Sequence, residues 1–285
     1  MYYGLIFTAT VLYSLQFLFQ QKFEEKCGTT FSASLTFSAW TSAVCFAALL
    51  AVNGMRLELT FFSFRIALIY SCVRIVYSYA SMKAFDCVNL SVYSMFAMLG
   101  GMLLPFAYGI LWCGEGLTLN KALCCGLIAG ALYLTVPAEE TEKRGRKSII
   151  YYAMVFVLNG MNGVLSKIHQ SNMEANVDSV SFLALTMLIT LVMSAILQLI
   201  TDRKLVSIKG AVAGYTVGAA LFCGFGNLFT LIALKHLPAS VQYPIITGGV
   251  MVFTLLISWV RREHITRRNI FATVLSLAST ILIVL

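Results

Sequence analysis

Ten stretches of this chain are too apolar and too long for a water-soluble fold to hide, and they decide the fold class before any motif is considered. They run Tyr2 to Leu18, Phe31 to Val52, Ile66 to Met82, Val88 to Cys113, Ala122 to Pro137, Ser148 to Ser166, Val180 to Ile200, Gly210 to Leu234, Pro238 to Val260 and Asn269 to Leu285. A helix needs about 20 such residues to cross roughly 30 Å of hydrocarbon. Strands of a membrane barrel would alternate in polarity over about ten residues, whereas these runs are apolar all round. The expectation is an all-α integral membrane protein with ten transmembrane helices. The connections, including the charged one from Ala138 to Lys147, are too short to hold a soluble domain. The first run lacks the positive flank and small-residue cleavage site of a signal peptide and reads as a retained helix.

Charge and cysteine usage narrow the class. The net charge of +8 sits mostly in loops, where basic side chains meet anionic lipid headgroups; no nucleic-acid partner is expected. The eight cysteines have neither disulfide-framework spacing nor a C-x-x-C pair, and read as small packing residues. His169, His236 and His264 lie near helix ends, without an H-x-x-x-H pair or a carboxylate cluster. An intramembrane enzyme would need clustered nucleophile, base or metal ligands, and a channel a filter or charged rings. No catalytic residue, metal site or cofactor is therefore expected, and a carrier of small molecules is the leading class.

The chain repeats itself. An offset of 149 residues brings Tyr2-Tyr3 over Tyr151-Tyr152, Ala84 over Ala233 and Ser91-Val92 over Ser240-Val241; an offset of 148 superposes Gly100-Gly101 on Gly248-Gly249, Glu115 on Glu263 and Thr118 on Thr266. Paired Tyr-Tyr, paired Gly-Gly and E-x-x-T in order argue for duplication rather than compositional coincidence. The domains expected are residues 1–137, a connecting loop 138–147, and residues 148–285. Five crossings are an odd number, so the second copy enters the membrane from the opposite face. Two inverted five-helix repeats place a central site between halves that can exchange conformations by alternating access. The other reading is a duplicated bundle with no transport role.

The segments A-L-K-H-L-P-A-S-V-Q-Y-P-I-I-T-G-G from Ala233 to Gly249, R-E-H-I-T from Arg262 to Thr266 and C-G-E-G-L-T from Cys113 to Thr118 resemble the ten-helix branch of the drug/metabolite transporter superfamily, built from two EamA-like domains. The resemblance spans nearly the whole chain and is stronger in the second half. It implies that the first four helices of each half surround a central cavity while the fifth packs outside. The first copy departs from the pattern: Met95 stands near the position of Pro244, and Pro105 follows later.

Helix-perturbing and small residues mark candidate hinges and contacts. Pro244 removes a backbone hydrogen bond inside a spanning helix, with Gly248 and Gly249 about one turn on; Gly100 and Gly101 are the related pair. Such a break either exposes carbonyls to a substrate or only packs a kink. Small residues four apart allow close helix contact in lipid: Gly126 and Gly130, Ala272, Ser276 and Thr280, and Gly210, Gly214 and Gly218. They serve either internal packing in a monomer or a homodimer through helices five and ten.

The intramembrane polar residues suggest the chemistry. The twelve carboxylates all fall at helix ends or in loops, whereas a proton-coupled exporter of lipophilic cations needs a buried one. Arg74 lies mid-span, where an unpaired arginine costs at least a few kcal/mol. A carboxylate or phosphate on a substrate suits its bidentate donors; carbonyls of a broken helix, or Asp86, are the alternatives. Gln16, Asn159, Asn162, Asn227 and Gln242 are candidates to hydrogen-bond a polar ligand, and Tyr77, Tyr93 and Tyr243 to offer an apolar body with a polar tip. Helix-to-helix bonding explains a buried Asn equally well. Lys22 and Lys167 are entrance charges or snorkel to headgroups.

The expectation is a secondary transporter of small polar metabolites, anionic or zwitterionic, in the plasma membrane, a bacterial inner membrane in particular. Its partners would be the substrate and the lipid bilayer. A multidrug or cationic exporter, a channel and a structural membrane protein are the alternatives. Loops after helices one, three, five, seven and nine hold 14 Lys and Arg against 5 in the others, which puts both termini outside by the positive-inside rule; the family resemblance puts them inside.

Overall fold

The computed structural model describes residues 2–112, 119–135, 146–172, 176–203, 208–234, 239–263 and 265–282. Among them are ten helices and no strand: α1 (Tyr2–Cys27), α2 (Phe31–Val52), α3 (Phe61–Phe85), α4 (Leu90–Trp112), α5 (Leu119–Thr135), α6 (Arg146–Ser171), α7 (Ser179–Asp202), α8 (Ala211–Leu234), α9 (Ala239–Val260) and α10 (Arg267–Leu282).

Several helices outrun the apolar stretches, because local stop and start signals set their ends. α1 passes Leu18 and continues through Lys22, Glu24 and Glu25 until Gly28, whose φ of 74° supplies the left-handed turn that closes a helix. The Gly28 N–H bonds the Glu24 carbonyl at 2.8 Å. α3 starts before Ile66 because Thr60 caps it, its hydroxyl accepting from Ser63 N at 3.2 Å. Thr30 and Asp178 cap α2 and α7 in the same way, accepting from Ala33 N and Val180 N.

Seven helices among the described residues are long and apolar enough to cross a membrane: α1 to α4, α7, and the stretches Ile149–Ser171 of α6 and Ala211–Thr230 of α8. α9 contributes a shorter apolar segment, Ile245–Val260, and α5 and α10 have only 17 and 16 residues. The chain is thus a multi-pass helical membrane protein; of the ten expected spans, the three that miss this length among the described residues are α5 and α10, which are short, and α9, whose apolar stretch is described only from Ile245.

α1 lies along α8 and α9, α6 along α3 and α4, and α2 along α7 and α8; α3 packs on α7, α4 on α9, and α5 on α10. Lipid tails are as apolar as leucine, so helices gain from close approach rather than from leaving water. Small and hydroxylated residues accordingly fill the contacts. Ser71, Thr190 and Ser276 are fully buried and return their hydroxyls to the carbonyl four residues back, at 2.7–2.8 Å.

The tightest crossing joins α4 to α6. A Cβ added to Gly100 would lie 2.1 Å from the Phe156 carbonyl oxygen, and one on Gly160 would lie 2.6 Å from the Gly100 oxygen. Gly163 faces the Pro105 ring at 2.5 Å, and Gly101 faces the Asn159 amide at 2.8 Å. On the other side of the molecule Gly249 of α9 faces Thr10 of α1 at 2.5 Å. Both glycine pairs expected as hinges therefore sit in continuous helices. Gly100, Gly101 and Gly249 occupy helix contacts, Gly248 is buried in α9, and the ring of Pro244 lies outside the described residues.

The other small-residue sites divide. A Cβ added to Gly130, where α5 packs on α10, would lie 3.1 Å from Leu275, and one on Gly218 would lie 2.5 Å from the Phe19 ring. Gly126 and Gly214 face open space, and Gly210, at φ 59°, turns the chain into α8.

At one end of the bundle the described residues bury His169. The Ser63 hydroxyl accepts from Thr60 and from Val177 N, which leaves its own proton for His169 Nε2 at 2.9 Å. The imidazole stacks on Phe182, with ring centres 3.8 Å apart, and Phe62 flanks it. Replacing His169 by alanine opens a cavity and strands the Ser63 proton, so a loss of about 2–4 kcal/mol is expected. A thermal or denaturant unfolding series in detergent, against Lys167→Ala at a partly exposed position of the same turn, measures it.

Candidate substrate site

The lipid-facing stripe of α3 is Leu68, Cys72 and Val76, all exposed. At 3.6 residues per turn Arg74 lies about 200° around the helix from Cys72, so it points into the bundle. There it meets three helices. Its guanidinium lies beside the Cys223 thiol of α8 and Tyr70 one turn back on α3, with Cys45 of α2 adjacent. Tyr70 in turn neighbours Ser166 of α6. Arg74 nonetheless stays only partly covered.

Among the described residues no carboxylate pairs with Arg74. The ion pairs found are Lys22–Glu25, Arg261–Glu25 and Arg261–Glu263, at helix ends. Glu24 is the one carboxylate side chain there that the fold buries deeply, with 6% exposure, and it neighbours Asp86 and Lys83 at the ends of α1 and α3, remote from Arg74.

From Cys223 the polar group continues along α8. Asn227 donates to the Cys223 carbonyl at 2.8 Å and accepts from the Tyr13 hydroxyl of α1 at 3.1 Å; Thr230 lies 3.3 Å from the same hydroxyl. Gly226 leaves room for the Tyr13 ring at 3.1 Å. Gln16, one turn beyond Tyr13 on α1, is partly exposed and has no hydrogen-bond partner among the described residues. Arg74, Asn227 and, through Tyr13, α1 are thus brought together.

The remaining candidates are placed as follows. Tyr77, one turn after Arg74, bonds the Tyr93 hydroxyl at 2.9 Å; Tyr93 donates to Ser81 at 2.9 Å and is buried against Phe17 and Phe85. Tyr77 keeps partial exposure, while Tyr93 is 1% exposed. Asn159 is committed to the Ala97 carbonyl of α4 at 2.6 Å, at the α4–α6 crossing. Asn162 lies one turn before Ser166 on α6, buried, with its Oδ1 lacking a donor among the described residues. The side chains of Gln242 and Tyr243 lie outside the described residues.

Tyr13, Cys45, Tyr70, Ser166, Cys223 and Thr230 join the cluster without having been singled out in the sequence. Tyr70 alone carried a readable signal, its i, i−4 spacing from Arg74.

A cavity of about 310 Å³ opens at the end of the bundle opposite His169, where α1 ends and α2 and α8 begin. Phe23, Cys27, Thr30, Ser32, Thr36 and Lys209 are among its lining residues. Near it Gln198 of α7 donates to Thr36 at 2.6 Å, and Ser32 bonds Asp202.

The described residues thus form a multi-pass helical bundle with an arginine facing inward and no metal-ligand group of three or more among them. Residues 146–285 match the model of the EamA-like transporter family. Over those residues the chain is similar to membrane transporters of the drug/metabolite type. No curated protein matches the chain. A solved crystal structure is similar over 98% of this chain and 94% of its own, at 18% identity and a TM-score of 0.65; it speaks for the fold alone.

Proposed function

We propose that the protein is a secondary transporter of small anionic or zwitterionic metabolites, held by Arg74 at the centre of two inverted five-helix halves that exchange by alternating access. The observation that carries this reading is the inward Arg74 without a carboxylate partner among the described residues. A substrate carboxylate or phosphate would supply the missing charge, and the donor-free Oδ1 of Asn162 would accept from an ammonium or hydroxyl on the same ligand.

The inverted repeat is supported by helix contacts that survive exchange of the halves. Swapping α1 for α6, α2 for α7, α3 for α8, α4 for α9 and α5 for α10 turns the α1–α8 contact into α6–α3, and α1–α9 into α6–α4, all of which occur. In the same exchange Gly249 against Thr10 becomes Gly101 against Asn159, and both contacts are present. Arg74 and Cys223 are themselves related by the offset of 149 and touch each other, as residues beside a central pseudo-twofold axis would.

The cavity near Lys209 and the buried His169 cluster at the other end are what a state open toward one face would show. The positive-inside count makes that face the cytoplasm of a plasma membrane, a bacterial inner membrane being the natural setting. A topology reporter fused after Leu285 is then expected outside; a cytoplasmic reporter reverses the assignment. Screening a metabolite collection for stabilisation of the purified protein tests the substrate class: acids and amino acids are expected among the hits, and a set of hits confined to lipophilic cations refutes the reading in favour of an exporter of cations.

A further inference from the structure

Two thiols meet beside Arg74, one from each half of the chain. Cys45 of α2 directs its sulfur at the Ala220 carbonyl of α8, 3.1 Å away, and that sulfur lies 3.8 Å from where a Cβ on Gly224 would stand. Cys223 adjoins Gly224 on the same turn. The two thiols are neighbours in one buried cluster, and Asn227 Nδ2 lies 3.4 Å from the Cys223 sulfur. Both are free thiols, with 1% and 8% exposure. Packing alone does not require a matched pair of sulfurs on facing helices with a guanidinium alongside.

We infer that Cys45 and Cys223 form a two-coordinate binding site for a monovalent soft metal ion, copper(I) or silver(I), with Arg74 as its counter-charge. Thiolates are the ligands that select such ions. A zinc ion would require about four ligands, and the described residues offer no group of three. Charge balance also favours the monovalent ion. Two thiolates and one +1 ion sum to −1, which the Arg74 cation cancels, and a neutral assembly is what a low-dielectric interior tolerates. Binding replaces two S–H bonds with two metal–sulfur bonds and releases two protons, with no change of oxidation state. The bound ion ties α2 to α8, one half of the chain to the other.

The test uses silver(I) and chelator-buffered copper(I) on the purified full chain. In a variant keeping only Cys45 and Cys223, with the other six cysteines replaced by alanine, one ion per chain is expected. Two protons should leave per ion, and X-ray absorption should report two sulfur neighbours. In the natural chain Cys45→Ala or Cys223→Ala should weaken the tight site by more than about 100-fold, beyond the range typical of losing an outer-shell partner, and Arg74→Gln by about tenfold or more. No ion bound by the two-cysteine variant overturns the site. Should that variant fail to fold, a natural chain whose tight binding is unchanged by Cys45→Ala overturns it equally. Unchanged affinity in Arg74→Gln overturns the counter-charge role.

Discussion

Arg74→Gln is expected to lower the affinity for an anionic or zwitterionic substrate by at least about 100-fold, because charge-assisted hydrogen bonds contribute about 1.5–3 kcal/mol each and the guanidinium offers two in parallel. The protein itself should not be weakened by the change. Arg74 has no carboxylate partner among the described residues, so no opposite charge is left stranded, and a neutral amide removes the cost of holding a cation mid-membrane. The expected signature is therefore a split: unfolding temperature kept or raised, substrate binding lost. Arg74→Lys should recover only part of the affinity, since an ammonium lacks the planar fork. Isothermal titration of the ligand-screen hits against the three proteins reads both effects. Undiminished affinity in Arg74→Gln would remove the residue from the site.

Gly100→Ala is expected to be the most damaging single-methyl change in the bundle. The added carbon would stand 2.1 Å from the Phe156 carbonyl oxygen, and a backbone oxygen cannot swing aside as a side chain does. α4 and α6 would have to part, disturbing the neighbouring contacts of Gly160 and Gly163. Overpacking typically costs about 1–3 kcal/mol, and the backbone partner puts this case at or above the upper end. Gly126→Ala is the matched control, because nothing lies within 4 Å of its added carbon and alanine favours a helix by about 1 kcal/mol. Melting curves in detergent should separate the two variants by several degrees, with Gly126→Ala level with or above the natural protein. Equal melting points would mean that the α4–α6 crossing is looser than described.

What the sequence disclosed and what it hid follow from the range of the interactions. Helices in lipid must satisfy their backbone internally, so continuous apolar runs mark them, and Arg74 stood out because a mid-span charge is rare. The ends of α1 and α3 were less legible: Gly28 and Thr60 set them, beyond the apolar stretch. Glu24 was legible as a helix-end residue but not as a buried one, since Asp86 and Lys83, which neighbour it, come from α3. Pairings across the bundle were hidden. Tyr13 and Asn227 are 214 positions apart and Cys45 and Ala220 175 apart, and no local spacing announces such contacts. Asn159 and Asn162 look alike in sequence, three residues apart on one helix. One is bound to Ala97 and the other keeps a donor-free oxygen, because Asn159 meets α4 at its crossing with α6 whereas Asn162, on the next turn, meets no donor among the described residues.

The same distinction applies to the glycine pairs. As sequence, Gly100-Gly101 and Gly248-Gly249 suggest flexible points. In the fold Gly100, Gly101 and Gly249 allow close helix approach, which makes α4 with α6, and α9 with α1, tightly packed pairs. If the halves move, these pairs are the units expected to move as bodies.

Counterflow in proteoliposomes tests the central claim most directly. Vesicles carrying the purified protein are preloaded with an unlabelled ligand-screen hit, and uptake of the labelled compound is followed with and without the preload. A carrier whose central site opens to one face at a time predicts saturable uptake, accelerated by the internal substrate and lost in Arg74→Gln. Uptake that rises linearly with concentration, ignores the preload and persists in Arg74→Gln would contradict the account.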